Sequence, residues 1–172
     1  MPAGRTHDRI TLWSLPVVAG LTFAATRQST PTLLICAGFL FGGLMLGPDL
    51  DIHSIHYKRW GWLRWIWLPY RGSMKHRSPW SHAPITGTTV RVIYLLVWLG
   101  FFGLASIAIC NQLGQFGWTW DEIGSGLGRS LWQYRVEAIA FGVGLEVGAF
   151  SHYTADWWVS SQKRKRKQRK KR

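Results

Sequence analysis

Histidines and aspartates occur in four short segments of the chain, in patterns suited to binding a metal ion. The segments contain His7 and Asp8, Asp49 and Asp51, His76 and His82, and His152 and Asp156. His152 and Asp156 are four residues apart and would share one face of a helix. Asp49 and Asp51 would reach one metal, or bridge two, if their segment is locally extended. Mixed imidazole and carboxylate ligands favour zinc, with manganese and iron as alternatives.

The composition is typical of a membrane protein rather than of a soluble domain. Of the 172 residues, 47% are apolar and 15% aromatic, yet the formal net charge is +13. Nine of the 21 basic residues lie in 163–172, whereas 92–110 contains no charged residue. Such segregation indicates lipid as the surrounding medium. We therefore expect one membrane domain over 1–160, followed by a polybasic tail over 161–172.

Four apolar stretches predict an all-α integral membrane bundle of about four transmembrane helices. They span 10–25, 32–48, 89–110 and 136–152. The first follows two arginines and has a signal peptide as its alternative, which Pro16 and a poor cleavage site disfavour. Glycines four residues apart in the second stretch predict close helix packing. Glu146, inside the fourth, is costly unless paired, so it joins the site candidates.

The basic residues predict how the chain lies in the membrane. With four crossings, eighteen of them fall on the side of both termini and three on the other, and the split stays nine to three without the tail. The positive-inside rule then places both termini in the cytoplasm of a bacterial cell. All four His/Asp segments lie on this inner face. The Trp-rich segment 60–70 between the second and third stretches is expected to lie in the headgroup region, since its basic and aromatic mixture suits lipid better than nucleic acid.

An ordinary explanation exists for each segment taken alone. An acidic pair after a span is often a solvated helix end, and an interfacial histidine is often a hydrogen-bonded anchor. Four span ends carrying such residues on one face favour a shared metal site instead. His53 and His56 lie in the same inner loop, and the sequence leaves their roles open. Pro79 predicts a turn between His76 and His82, with Ser81 as N-cap of the following helix.

The segments GRTHD, GPDLDI, HRSPWSH and SHYTADW resemble a bacterial family of uncharacterised membrane metal-binding proteins, over nearly the whole chain. In these motifs alone the chain is similar, more distantly, to inner-membrane metal-dependent hydrolases, which in turn resemble all-helical zinc phospholipases C and nucleases. The resemblance implies phosphoester or lipid-like substrates. It also implies seven ligands, with Asp8 as an eighth or as a supporting residue: His7, Asp49, Asp51, His76, His82, His152 and Asp156.

Two functions of different class remain open. In a hydrolase, metal ions would acidify a water molecule, Asp8 or Asp51 would act as general base, and Arg77 would hold developing charge. The alternative is a membrane protein that binds metal without catalysis, for structure, storage, delivery or assembly. The basic tail favours anionic lipid headgroups over nucleic acid, because it directly follows a span on the inner side.

Overall fold

The computed structural model describes residues 4–76, 78–114 and 116–169, and this part of the chain is helical without strands. Arg77, predicted to hold charge, lies outside the described residues. Eight α-helices and two 3₁₀ helices follow one another in this order: α1 (Gly4–Thr26), α2 (Ser29–Leu44), the 3₁₀ helix Pro48–Asp51, α3 (Ile55–Arg59), the 3₁₀ helix Gly61–Trp67, α4 (Leu68–Ser73), α5 (Pro79–His82), α6 (Thr86–Gly114), α7 (Trp120–Gln133) and α8 (Arg135–Arg169). The all-α prediction is confirmed.

Helices α2 and α8 pack backbone against backbone, as the glycine spacing predicts. A β-carbon added to Gly38 or Gly42 would collide with the backbone of α8, and one added to Gly144 or Gly148 would collide with that of α2. Only glycine permits this approach. Gly38 faces Phe141, while Gly42 faces a residue one turn further along α8, so the two helices run parallel. Helix α1 packs against both.

The short helices between α2 and α6 form a core at one end of this helix pair. Its buried members include Leu50, Trp67 and Tyr70, packed around Leu145 of α8. The Trp-rich segment is therefore divided: Trp67 is fully buried, whereas Trp62 is exposed. The expectation that the segment lies in the headgroup region stays a prediction, and part of the segment also packs inside the protein, where Trp67 and Tyr70 contribute to the core.

Three helical ranges in the described residues are long and apolar enough to cross a membrane, namely Thr6–Thr26, Ser29–Asp51 and Thr86–Gly114. They match the first three predicted spans. The fourth, 136–152, forms part of α8 but is not among them, since its two glutamates and three glycines reduce its hydropathy. Helix α6 buries only its first turns, and α7 buries none of its residues.

Three local expectations differ from the structure. Helix α1 begins at Gly4, so His7 lies within its second turn rather than before it. The segment holding Asp49 and Asp51 is a 3₁₀ turn, so the locally extended backbone on which their shared reach was conditional is not present. Ser81 lies inside the single-turn helix α5, so the prediction that it caps the next helix is wrong. Helix α8 continues to Arg169, which makes the first part of the predicted tail helical.

Candidate metal centre

The first group of ligands joins the 3₁₀ turn after α2 to the segment before α6. It consists of Asp49, Asp51, His76 and His82, whose nearest ligand atoms all lie within 4.8 Å of one another. His76 Nδ1 is 3.0 Å from Asp51 Oδ1, and His82 Nδ1 is 3.6 Å from Asp51 Oδ2. Asp49 Oδ1 lies 3.5 Å from Nε2, the other ring nitrogen of His82. The tight 3₁₀ turn thus brings both aspartates to His82. Four donors from two segments thus converge.

The second group joins the beginning of α1 to the far part of α8. His7 Nε2 lies 3.4 Å from Asp156 Oδ1, and the His7 and His152 rings stack with centroids 3.8 Å apart. His152 Nε2 is 3.9 Å from Asp156 Oδ2, which confirms that these residues share one helix face. His7 and His152 are almost fully buried.

Asp49 lies between the two groups. Its Oδ1 faces Nε2 of His82 at 3.5 Å, and its Oδ2 faces Nε2 of His152 at 3.4 Å. One carboxylate therefore presents one oxygen to each group. A carboxylate in this position could bridge two metal ions, one held by each group.

Several polar atoms of these residues are buried without a hydrogen-bond partner in the described part of the chain. They include Nε2 of His82, both ring nitrogens of His152, and one carboxylate oxygen each of Asp49 and Asp156. Burying such atoms unpaired costs about 1–3 kcal/mol each. Nitrogen and oxygen atoms that converge in this way fit a metal ion of the zinc, manganese or iron class, which would satisfy them together.

His56, whose role the sequence leaves open, joins a third group with Asp49 and His152. Its Nε2 lies 3.1 Å from the carbonyl oxygen of Gly43, and since a carbonyl only accepts, Nε2 carries the proton. The buried Nδ1 then offers its lone pair. Burial lowers the pKa of His56 to about 4, so the ring is neutral at pH 7. Gly47 leaves room for this ring, because a β-carbon there would collide with it.

Asp8, next to His7 in α1, belongs to none of the three groups. Its Oδ2 pairs with the guanidinium of Arg59, which also donates to the carbonyl oxygen of Leu44 at 2.8 Å. Neighbouring residues of a helix point about 100° apart, so Asp8 is directed to α3 while His7 is directed to α8. The pair ties α1, α2 and α3 together around the centre.

Two further candidates lie outside the groups as well. His53 is exposed and packs edge-on against Tyr57. Glu146 accepts a hydrogen bond of 2.8 Å from the backbone N–H of Ile85, directly before α6. Ile85 has φ of 65°, which is unfavourable for a β-branched residue, so this bond stabilises a strained turn. Glu146 thus fixes where α6 begins relative to α8.

Sequence reasoning missed Arg91, which holds the segment that carries His76 and His82. Its guanidinium is fully buried and donates to the carbonyl oxygen of Ser81 at 2.6 Å and to Thr88 Oγ1 at 3.2 Å. Ser81 Oγ in turn lies 3.0 Å from His82 Nδ1. Such supporting contacts fix the orientation of ligand rings.

Three comparisons with known proteins bear on this arrangement. A family model described as uncharacterized metal-binding protein (DUF2227) matches residues 2–166. An uncharacterized protein of Aquifex aeolicus (strain VF5) is 41% identical over 59 residues, which are 34% of this chain and 41% of that protein. The match thus spans about two fifths of the relative's length. No solved structure matches the chain.

Proposed function

The chain belongs to this family of uncharacterized metal-binding proteins, and we propose that it holds two metal ions bridged by Asp49 and uses them to hydrolyse phosphoester or lipid-like substrates at a membrane. The observation that carries the proposal is the position of Asp49, with one oxygen toward His82 and the other toward His152. Zinc is the favoured ion, because each group combines histidines with carboxylates.

The residues of such a centre would have different roles. When bound, the ions supply Lewis-acid activation of water. Asp51 is a buried member of the first group and lies within hydrogen-bond distance of His76 Nδ1, so it orients that ring. Asp8 is paired with Arg59, so the geometry supports Asp51 over Asp8 as the base. The buried Arg91 positions the loop of His82.

Metal content of the purified protein tests the centre. We expect about two ions per chain in the wild type and about one in His76→Ala, since that change removes a ligand from the first group only. Asp49→Ala removes the shared ligand and should leave fewer than one. His53→Ala, at an exposed histidine outside the groups, is the matched control and should retain two. Equal metal content in all four proteins would refute the two-ion centre.

A non-catalytic metal protein is the second candidate, and one observation favours it. The first group supplies four protein donors, and a four-coordinate zinc site filled by protein is structural rather than catalytic. Hydrolysis of a panel of phosphoesters and phospholipids by the metal-loaded protein separates the two. Hydrolysis by the wild type that is lost in Asp51→Asn supports the hydrolase. A protein that is fully loaded with metal but hydrolyses none of these substrates supports the non-catalytic function.

We place this centre at the inner face of a bacterial plasma membrane, with both termini in the cytoplasm. Support comes from the three apolar helical ranges and from the eighteen basic residues on the side of the termini. On that side the tail 161–172 would bind anionic headgroups, each basic residue contributing about 1 kcal/mol. Salt-sensitive binding of a peptide of this sequence to anionic vesicles, stronger than its binding to RNA, tests this part of the proposal.

A further inference from the structure

An apolar groove of about 660 Å³ runs between α6 and α8, with α2 at its floor. Its walls include Val92, Leu96 and Leu99 of α6 and Phe141 and Leu145 of α8. Glu146 is the one charged residue that lines it, and its carboxylate is already engaged by the backbone of Ile85. The groove thus offers an occupant apolar surface along almost all of its length.

One end of the groove is lined by residues that are close in sequence to candidate ligands. Leu46, which lines it, precedes the bridging Asp49 by three residues, and Ile85 follows His82 by three. From Thr88 to Leu99 the groove extends along α6 for about 17 Å, at 1.5 Å per residue. One leaflet of hydrocarbon is about 15 Å thick, half of a bilayer core. The groove therefore has the length of one lipid chain within a single leaflet.

We infer that this groove binds one acyl chain of a membrane lipid, with the carbonyl end of the chain toward the metal centre and the methyl end toward Leu99. The inference rests on the proposed function and assigns its substrate class: a lipid whose ester lies at the centre. Helix α6, which forms one wall, is long and apolar enough to be surrounded by hydrocarbon.

Two glycines provide a matched pair of variants for the test. Gly142 lines the groove, and a β-carbon added there meets no atom within 4 Å. Gly142→Leu therefore places a side chain in the groove without disturbing the contact between α2 and α8. Gly103 of α6 is equally open but lies outside the groove. Gly103→Leu is the control, because both changes raise helix propensity by the same amount, about 1 kcal/mol.

The experiment uses the full chain in phosphatidylglycerol and phosphatidylcholine vesicles that contain a phospholipid with a photoreactive diazirine on one acyl chain. One probe carries the diazirine near the carbonyl and a second carries it near the methyl end. After irradiation, mass spectrometry maps the adducts. We expect the first probe to label 85–89 and the second to label 96–99. Gly142→Leu should reduce both adducts at least fivefold, while Gly103→Leu should leave them unchanged.

Three results would overturn the inference: adducts of equal yield in all three proteins, adducts that do not depend on the position of the diazirine, or a covalent dimer joined through the groove. The labelling requires no metal, so it separates this inference from the proposed function. Groove adducts in a protein that binds no metal would leave the groove standing and refute the centre. Two metal ions bound per chain without groove adducts would support the centre and refute the acyl-chain groove.

Discussion

At the scale of single residues, the centre depends on side chains that never touch its ligand atoms directly. Arg91 is the clearest case, because its buried guanidinium holds the carbonyl oxygen of Ser81, and Ser81 Oγ lies beside His82. A β-carbon on Gly87 would collide with the same carbonyl group. The beginning of α6 and the HRSPWSH segment are therefore fitted to each other, and the positions of His76 and His82 follow from that fit.

We predict that Arg91→Met reduces metal binding in the first group and spares the second. Without the guanidinium, the Ser81 carbonyl is left unpaired and the loop of His82 relaxes, which weakens binding about 10–100-fold, as losses of supporting contacts do. Metal content should fall from about two ions per chain to about one. Arg64→Met, at an exposed position, is the control. Loss of both ions in Arg91→Met would show a general structural failure rather than a local one.

His56 makes the stability of the metal-free protein depend on pH. Burial lowers its pKa from 6.5 to about 4, so the folded state favours the neutral ring. The resulting stabilisation is fully present above pH 6.5, and it is lost as the pH falls toward 4, by up to about 3 kcal/mol. In detergent with a chelator, the unfolding temperature should fall between pH 7 and pH 4.5. His56→Gln, which keeps a donor for the Gly43 carbonyl but does not titrate, should show a smaller fall. Equal falls in both proteins would contradict this role.

At the scale of elements, the sequence predicts long helices well and short ones poorly. The four apolar stretches correspond to α1, α2, α6 and α8, because long apolar runs determine helix position without help from neighbours. The glycine spacing in α2 also predicts its close packing. The single-turn helix α5 and the 3₁₀ turn at Asp49 have no periodicity to detect. They depend on tertiary contacts such as the Arg91 bond to Ser81, which no local pattern reveals.

The contact between α2 and α8 leads to a prediction from two glycines only two residues apart. Gly144→Ala places a β-carbon against the backbone of α2 at Ile35, whereas Gly142→Ala places one in open space. We expect Gly144→Ala to destabilise the fold by about 1–3 kcal/mol through overpacking. Gly142→Ala should be neutral or stabilising by up to about 1 kcal/mol through helix propensity. Thermal unfolding in detergent measures both, and similar unfolding temperatures for the two variants would refute the close packing.

At the scale of the whole molecule, the sequence predicts which residues are candidate ligands but not how they are distributed between the groups. The prediction that four span ends meet at one face depends only on crossing number and charge, and the structure brings seven of the eight predicted ligands into groups. The sequence does not show that Asp8 pairs with Arg59, because the rotation of α1 about its own axis determines which of His7 and Asp8 faces α8. Nor does the sequence show that Asp49 lies between His82 and His152, which requires α8 and the segment of His82 to approach Asp49 from opposite sides.

The parallel course of α2 and α8 bears on the membrane topology. Residues 35–43 of α2 lie beside residues 141–148 of α8, so α8 crosses any layer that α2 crosses, in the same direction. If α2 crosses the membrane as we propose, α8 is a fourth crossing despite its glutamates, and α7 then lies on the face opposite the centre. The eighteen basic residues on the side of the termini support the proposal that this side faces the cytoplasm.

Single cysteines test this arrangement in a background where Cys36 and Cys110 are replaced by alanine. Ser125→Cys in α7 and Gln162→Cys near the end of α8 are both at exposed or partly exposed positions outside the apolar ranges. In spheroplasts, a membrane-impermeant maleimide should label Ser125→Cys at once and Gln162→Cys only after permeabilisation. Labelling of Gln162→Cys in intact spheroplasts would place the basic tail outside. Because the ligands of α8 precede that tail by only a few residues, the same result would move the metal centre to the outer face.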